Sequence, residues 1–338
     1  MTHRRGRLVW LLAVAFLLAA LACGVTVGAS GLGPGEVFRV LVDQLPGVHA
    51  GGAVDPVDRA VLLQIRLPRV LLAALVGALL AVAGAGYQGV FRNPLVDSSM
   101  LGSSAGAGLG ATVAIVAGAA GLAVPAAAFA GALAAVALAL AAGSVGRTST
   151  STLLLAGVAV GLFFSAAQTF VLQGATRSLQ EVYAWLLGSL AGADWTHLAQ
   201  PLPYAVVGTA VVLAHARRLD VLAVGEEEAA SLGLHPARIR LLVVCGATLA
   251  AAAAVAVSGL IGFVGIVVPH AVRRLAGVSH VRVLPLSMLV GAGFLVLADT
   301  LARTVLAPAE LPIGVVTAAL GSPLFVWILR TTRSGGAS

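Results

Sequence analysis

The sequence predicts an all-α polytopic membrane protein with ten transmembrane helices and both termini in the cytoplasm. Hydrophobic residues make up 59% of the 338 positions and charged residues only 10%, whereas about a quarter of a soluble domain is charged. Apolar runs without charge recur along the chain at about the 20-residue length that spans a bilayer. The 41 glycines, together with many alanines, suit close helix packing in lipid.

Ten apolar segments meet the length criterion in whole or in part. They lie at residues 8–27, 70–86, two within 98–146, 152–172, 203–214, 241–257, 260–268, 283–298 and 313–329. The run 98–146 is too long for one span, and Gly118, Gly121 and Pro125 divide it into the third and the fourth. The sixth is expected to begin near His197. The eighth ends at Pro269 and is therefore short or incomplete.

Two shorter helices are expected outside the spans. Residues 29–60 form a polar connection with a short helix over 36–45, and residues 179–190 form an amphipathic segment at the membrane surface. The first span follows a basic start and contains Cys23, an arrangement that a lipoprotein signal shares. Residues 20–22 fit a lipobox poorly, and the run 8–27 has the length of a full span, so a first transmembrane helix is favoured.

The positive charges set the predicted orientation, because short cytoplasmic loops carry an excess of basic residues in membrane proteins. All twenty basic residues are arginine. With the amino terminus inside, fourteen of them fall on cytoplasmic segments: Arg4, Arg5, Arg7, Arg92, Arg147, Arg217, Arg218, Arg238, Arg240, Arg273, Arg274, Arg282, Arg330 and Arg333. Six fall outside: Arg39, Arg59, Arg66, Arg69, Arg177 and Arg303. The net charge of +7 therefore indicates topology rather than nucleic-acid binding.

The chain contains no lysine, so it cannot contain a Walker A loop, whose lysine contacts the nucleotide phosphates. If ATP drives this protein, another chain hydrolyses it. The two cysteines, Cys23 and Cys245, lie far apart in apolar runs, which argues against a disulfide framework or a thiol-ligated metal. The seven histidines are scattered and form no HExxH motif, so no metal site is predicted.

Two glycine motifs match catalytic signatures, and close helix packing explains both better. Residues 84–89 match GxGxxG but follow an apolar span rather than a strand, so dinucleotide binding is disfavoured. Residues 102–106 match GxSxG. An intramembrane serine hydrolase using Ser104 would need a histidine base, yet all seven histidines fall near span ends or in loops. That hydrolase is kept as a minor alternative.

The interiors of the predicted spans contain no carboxylate. Ion-coupled transporters commonly place a carboxylate at mid-membrane, where H⁺ or Na⁺ needs a ligand. Its absence counts against an ATP-independent secondary transporter. This remains the alternative class, because backbone carbonyls can also bind cations.

Polar residues begin two of the predicted spans at their cytoplasmic ends. Asn93 and Pro94 suit the N-cap and the first helical position of the third span. Ser149, Thr150 and Ser151 precede the fifth span. They either cap that helix or form a polar constriction at the mouth of a pore.

Three of the outer arginines allow two interpretations. Arg66 and Arg69 share one face of a helix, and Arg303 follows Asp299 by four residues. They are either ordinary interfacial arginines with a local Asp299–Arg303 pair, or a docking patch for acidic groups of a soluble external partner. The spacing alone favours the first interpretation.

Charge returns in number at residues 219–240, which the arginine distribution places in the cytoplasm. Two glycines bracket a short helical run within this segment. A compact charged helix on the cytoplasmic face of an apolar chain indicates contact with a soluble partner. Its acidic residues and glycines are Asp220, Gly225, Glu226, Glu227, Glu228 and Gly233.

Seven segments resemble the FecCD-type permeases, the membrane subunits of ABC importers for iron-siderophores, haem and vitamin B12. They are RLPR at 66–69, GALLAVAGAGYQGVFRNPLVDSSMLGSSAGAGLG at 77–110, STSTLLLAGVAVG at 149–161, WLLGSLAGADW at 185–195, GEEEAASLGL at 225–234, GLIGFVGIVVPHAVRRLAG at 259–277 and LADTLARTVLAPAELPIGVVTAALGSPLFVWIL at 297–329. They occur in order between residues 60 and 330. The family often has Gly-Pro-Ile-Gly-Phe where this chain has GLIGF at 259–263, and a mild change at that helix start is expected.

The resemblance implies one permease domain over residues 1–338, ten transmembrane helices and a place in the cytoplasmic (inner) membrane. It implies a second permease subunit, two ABC ATPase subunits that bind ATP and Mg²⁺, and an extracytoplasmic substrate-binding protein. This chain itself would hold no catalytic residue, cofactor or metal. The expected cargo is a metal chelate, with a ferric siderophore favoured and haem or vitamin B12 as alternatives.

The resemblance also assigns roles to individual residues. It reverses the preference drawn from spacing and makes Arg66, Arg69 and Arg303 the docking site for the binding protein. It makes 219–240 the coupling-helix loop and Ser149, Thr150 and Ser151 the cytoplasmic gate. The residues expected to contact the ATPase are Gly225, Glu226, Ala229, Ala230, Leu232 and Gly233.

Overall fold

The computed structural model describes residues 3–28, 33–44, 54–143, 150–175 and 177–334. Within these ranges the regular elements are sixteen α-helices and one π-helical turn, Val61–Arg66. The helices are His3–Thr26 (α1), Pro34–Val42 (α2), Pro56–Ala60 (α3), Leu67–Phe91 (α4), Ser103–Val116 (α5), Ala123–Gly143 (α6), Thr150–Gln173 (α7), Leu179–Leu186 (α8), Trp195–Ala199 (α9), Leu202–Ala214 (α10), Ala216–Val224 (α11), Glu226–Ser231 (α12), Pro236–Ser258 (α13), Val264–Ala276 (α14), His280–Thr304 (α15) and Ile313–Ser334 (α16).

Seven segments of the described chain are long and apolar enough to cross a membrane, judged by length and composition. They are Gly6–Thr26, Pro56–Phe91, Ala123–Gly143, Ser151–Gln173, Trp195–Ala214, Pro236–Ser258 and His280–Thr304. Two shorter apolar helices cover Ser103–Val116 and Ile313–Val326. The prediction of an all-α, multi-pass membrane protein is therefore confirmed. The predicted count of ten exceeds the seven spans that these criteria support.

Proline sets several helix ends that the apolar runs do not locate. α13 begins at Pro236 rather than at residue 241, because proline fits the first turn of a helix. The predicted loop 219–240 is correspondingly shorter and consists mainly of α11 and α12. The predicted sixth span is interrupted, since α9 ends at Ala199 and α10 begins at Leu202, just after Pro201.

The antiparallel helices α4 and α15 form the centre of the molecule. α13 and α14 also pack on α4, and α1 packs on α15. Glycines let the two central helices approach at backbone distance: a Cβ on Gly77 would overlap the carbonyl oxygen of Gly291. The two helices are therefore closely packed along their length, from Arg69 and Asp299 at one end to Gly89 and His280 at the other.

The packing interpretation of both glycine motifs is confirmed. Gly84 of α4 lies against the backbone of Gly265, and a Cβ on Gly89 would stand 2.7 Å from His280 Nε2. Gly106 of α5 lies against the backbone of Gly131 in α6. These residues allow close approach between helices.

Candidate functional site

Arg69 is the centre of an ion-pair cluster at one end of the α4–α15 pair. Its Nη2 lies 2.8 Å from Oδ1 of Asp299, and its Nη1 lies 2.8 Å from Oε1 of Glu310. The Asp299 side chain is 1% exposed, whereas that of Glu310 is 38% exposed. Arg69 therefore has one buried partner and one partner at the surface.

The two other arginines predicted for docking hold the carboxyl end of α1. Arg66 Nη1 donates to the carbonyl oxygen of Val25 at 3.3 Å, and Arg303 Nη2 donates to that of Gly24. Both arginines are buried. Because the last carbonyls of a helix lack intrahelical donors, these side chains act as C-terminal caps for α1.

The structure thus brings the three predicted docking arginines together but engages each of them within the chain. The predicted Asp299–Arg303 pair is present at 3.5 Å, and the shorter bonds of Asp299 go to Arg69. Glu310, which the sequence analysis did not single out, supplies the exposed carboxylate. Asp58 also acts electrostatically on Arg66 and favours its charged form, so the three arginines lie among three carboxylates.

The predicted coupling loop contains two short helices, α11 and α12, which meet at Gly225. Gly225 and Ala229 are buried within the chain, so little of either residue is accessible, and their expected contact with an ATPase stays a prediction. Ala230, Leu232 and Gly233 are exposed, and Leu232 shows 69% of its surface. This exposed set is the candidate contact surface.

Glu226 is half-buried and forms an ion pair with Arg240 of α13. It therefore ties α12 to the next long helix and is not a free member of a charged patch. The spacing of Glu226 and Arg240 in the sequence does not indicate this pair, because the two residues lie on different helices.

Gly233 ends α12 with a hydrogen-bonding pattern that requires its conformation. Its φ is +77°, in the left-handed region. The Gly233 N–H donates to the Ala230 carbonyl at 2.9 Å, and the Leu234 N–H donates to the Ala229 carbonyl at 3.0 Å. This is a Schellman cap, in which glycine avoids the strain of a Cβ.

Asp220 of α11 has a structural partner that the sequence analysis did not identify. Its Oδ1 accepts from the backbone N of His280 at 2.6 Å and lies 2.8 Å from His280 Nδ1; its Oδ2 accepts from Ser279 Oγ at 2.7 Å. Burial raises the pKa of Asp220, but the hydrogen bonds from Ser279 and His280 outweigh it, and the net pKa is below the ordinary value. The carboxylate is therefore ionised at neutral pH.

The predicted cytoplasmic gate is only partly covered by the structure. Ser149 lies outside the described residues, as does the side chain of Thr150, whose backbone begins α7. Ser151 is exposed in the first turn of α7. The gate assignment stays a prediction.

In the portion of the chain that is described, no group of three histidine, cysteine, aspartate or glutamate side chains is placed to hold a metal ion. Two of the histidines described there have other partners. His197 pairs with Asp194 at 2.8 Å, and His215 Nδ1 lies 2.8 Å from the Val211 carbonyl oxygen.

Comparison with known proteins finds similarity along almost the whole chain. A profile described as the FecCD transport family matches residues 11–331. The uncharacterized ABC transporter permease YvrB of Bacillus subtilis is 39% identical over 336 residues, covering 97% of this chain and 95% of that protein. The cobalamin import system permease BtuC of Halobacterium salinarum is 46% identical over 268 residues, covering 79% and 72%. The hemin transport system permease HmuU of Yersinia pestis is 40% identical over 298 residues, covering 81% and 85%.

Solved structures show the same architecture. An inward-facing structure of a metal-chelate type ABC transporter superposes with a TM-score of 0.83 at 31% identity, covering 96% of this chain and 99% of that one. PsaBC from Streptococcus pneumoniae superposes with a TM-score of 0.53 at 15% identity, which shows similarity of fold alone.

Proposed function

The chain belongs to the FecCD transport family and is the permease subunit of an ABC importer, and from that premise we propose that it moves a metal chelate from a binding protein into the cytoplasm. The observation that carries the proposal is the family match over residues 11–331. A ferric siderophore is the favoured cargo, and the relatives named for cobalamin and hemin support vitamin B12 and haem as alternatives.

We propose ten spans: the seven long apolar segments together with α5, α14 and α16. Both termini would then be cytoplasmic, in the inner membrane, as the arginine distribution favours. In this orientation the Arg69–Asp299 pair is at the outer end of the molecule. Asp220 and His280 are at the cytoplasmic end, beside α11 and α12.

Two separate ATPase subunits would supply the energy, since a chain without lysine has no Walker A loop. We propose that each permease presents Ala230, Leu232 and Gly233 to an ATPase. Gly225, Glu226 and Ala229 would support this surface from within the chain. Movement of the ATPases would then shift α12 and, with it, the helices that α11 and α12 contact.

The outer cluster is proposed as the docking site for the substrate-binding protein. Its three arginines would favour acidic groups on the partner. The partly exposed Glu310 forms an ion pair with Arg69 in this structure. A carboxylate of the binding protein would therefore compete with Glu310 for the same guanidinium group. Arg66 and Arg303 would keep the end of α1 in place beneath the contact.

A second permease subunit, identical or not, is proposed to complete the translocation path. α7 exposes large apolar side chains, among them Leu155, Leu162 and Phe170. The proposed gate, Ser149, Thr150 and Ser151, lies at the start of the same helix. A path lined by small and apolar side chains would hold a hydrogen-bond-rich chelate weakly, so that affinity resides in the binding protein.

Transport by the reconstituted complex tests the proposal. Proteoliposomes containing the permease and its ATPase, with the binding protein inside or outside as orientation requires, are given a labelled ferric siderophore, haem or cobalamin. We expect uptake of one of these ligands with ATP and none with a non-hydrolysable ATP analogue. Uptake that persists without ATP would instead support the secondary transporter.

A further inference from the structure

The amino end of α15 is capped by a carboxylate from another helix. Ser279 occupies the N-cap position, but its side chain makes no capping bond to α15. It donates instead to Asp220 Oδ2 at 2.7 Å, while the His280 backbone N donates to Asp220 Oδ1 at 2.6 Å. Asp220, on α11, thus replaces the local capping residue.

This arrangement is favourable on general physical grounds. The first N–H groups of a helix have no intrahelical acceptor, and the positive end of the helix dipole attracts an anion. Asp220 meets both conditions, and the ring of His280 adds a third contact at 2.8 Å. The capping energy of α15 therefore depends on where α11 lies.

α11 leads directly into the proposed ATPase-contact helix. Leu219 and Leu222 are fully buried on α11, which packs against α4 and α15. After Gly225 the chain continues as α12, and Glu226 ties α12 to Arg240 of α13. The two short helices are thus held at two places, to α15 by Asp220 and to α13 by Glu226.

The capped end of α15 lies against α4, which is in turn bonded to α14. Gly89 of α4 leaves space for the His280 ring. The neighbouring Gln88 donates to the Gly265 carbonyl of α14 at 2.9 Å and accepts from Arg273. From His280, α15 runs for 25 residues, with Pro285 inside it, to the end that carries Asp299 and Arg303, a length of about 37 Å. α15 therefore contacts α11 of the proposed ATPase-contact segment (α11 and α12) at one end and the proposed docking cluster at the other.

We propose that Asp220 is a positioning residue for transport, which joins the ATPase-contact segment to the amino end of α15 so that the two move together. The proposal rests on the function of the chain as an ABC importer permease. Its active feature is the hydrogen bond from the start of α15 to a side-chain acceptor on α11. Asparagine should retain this bond, because asparagine caps helices about as well as aspartate.

The experiment compares Asp220→Ala and Asp220→Asn with Asp194→Ala. Asp194 is a matched control: it accepts from the backbone N of His197 at 2.7 Å and lies 2.8 Å from His197 Nδ1, but within its own local turn. The first measurement is hydrogen exchange of the first-turn amides of α15 in the purified permease. We expect faster exchange there in Asp220→Ala only.

The second measurement is phosphate release from ATP by the complex of permease and ATPase, with and without the binding protein. We expect Asp220→Ala to lower the stimulation of ATP hydrolysis by the binding protein about fivefold, because loss of one helix cap changes an equilibrium by about that factor. The ATPase should still copurify with this variant. Asp220→Asn and Asp194→Ala should stay near wild type.

Unchanged stimulation in Asp220→Ala, an Asp220→Asn variant as impaired as Asp220→Ala, or loss of ATPase copurification would each overturn the positioning role. A wild-type complex without ATP-driven uptake would contradict the proposed function instead, and the exchange measurement would still report on the cap.

Discussion

Arg69 of α4 and Asp299 of α15 form an ion pair that joins the first turn of α4 to the last turns of α15. Arg69 Nη2 lies 2.8 Å and Arg69 Nε lies 3.0 Å from Asp299 Oδ1. Arg303 brings a second positive charge 3.5 Å from Asp299 Oδ2. Because the Asp299 side chain is only 1% exposed, it is a buried carboxylate that balances the charge of two largely buried arginines.

Asp299→Ala should strongly destabilise the permease. It leaves two largely buried guanidinium groups without this carboxylate, and breaking a buried pair costs about 3 kcal/mol or more. Glu310→Ala removes the exposed partner of the same arginine and should cost about 1 kcal/mol or less. Denaturant titration of both variants in detergent gives their free energies of unfolding and so measures the difference. Equal losses of stability would show that burial does not distinguish the two carboxylates.

Glu310→Gln should strengthen docking of the binding protein. The substitution removes a carboxylate that competes for Arg69, and an exposed pair of this kind is worth up to about 1 kcal/mol, or about fivefold in affinity. Interferometry with immobilised permease gives the dissociation constant. Glu181→Gln is the control, because Glu181 is an exposed carboxylate on α8, on the same proposed side of the membrane. Weaker binding in Glu310→Gln alone would mean that Glu310 itself contacts the partner.

Gly233→Val should lower ATP-dependent uptake. Valine strains the left-handed conformation that ends α12, at a cost of about 1–3 kcal/mol, and so shifts Leu232 and Ala230. Gly192→Val is matched, since Gly192 also has a φ of +77° and, like Gly233, no atom within 4 Å of an added Cβ. ATP-dependent uptake in vesicles should fall in Gly233→Val and remain in Gly192→Val. If both variants transport normally, α12 is not the coupling element.

Gly77→Ala should loosen the central helix pair. The added Cβ would overlap the carbonyl oxygen of Gly291, and overpacking of this kind costs about 1–3 kcal/mol. Gly161→Ala in α7 is the control, because the nearest atom to its added Cβ is 3.6 Å away. The thermal melting midpoint should drop for Gly77→Ala and stay level or rise for Gly161→Ala. A Gly77→Ala protein as stable as wild type would show that the contact relaxes without cost.

The membrane class and most helices of this protein follow from local sequence alone. Apolar runs locate the spans because a helix in lipid needs apolar side chains along its whole length and must make its backbone hydrogen bonds within itself. The small residues at 84–89 and 102–106 predict close helix packing for a similarly local reason. Helix ends are less predictable: α13 starts at Pro236 because proline suits its first turn, which a hydropathy criterion does not register.

What the tertiary structure decided is which polar groups meet. Asp220 and His280 are sixty residues apart, and Arg69 and Glu310 are farther still. No periodicity connects them, because their contact depends on how several helices cross. The same holds for Ala229, which local sequence presents as a small surface residue and packing against neighbouring helices buries. The sequence by itself determined what kind of molecule this is and where its charged segments lie. Packing of α4, α11 and α15 determined which of those charges are partners, since pairing over such separations is set by helix geometry in three dimensions.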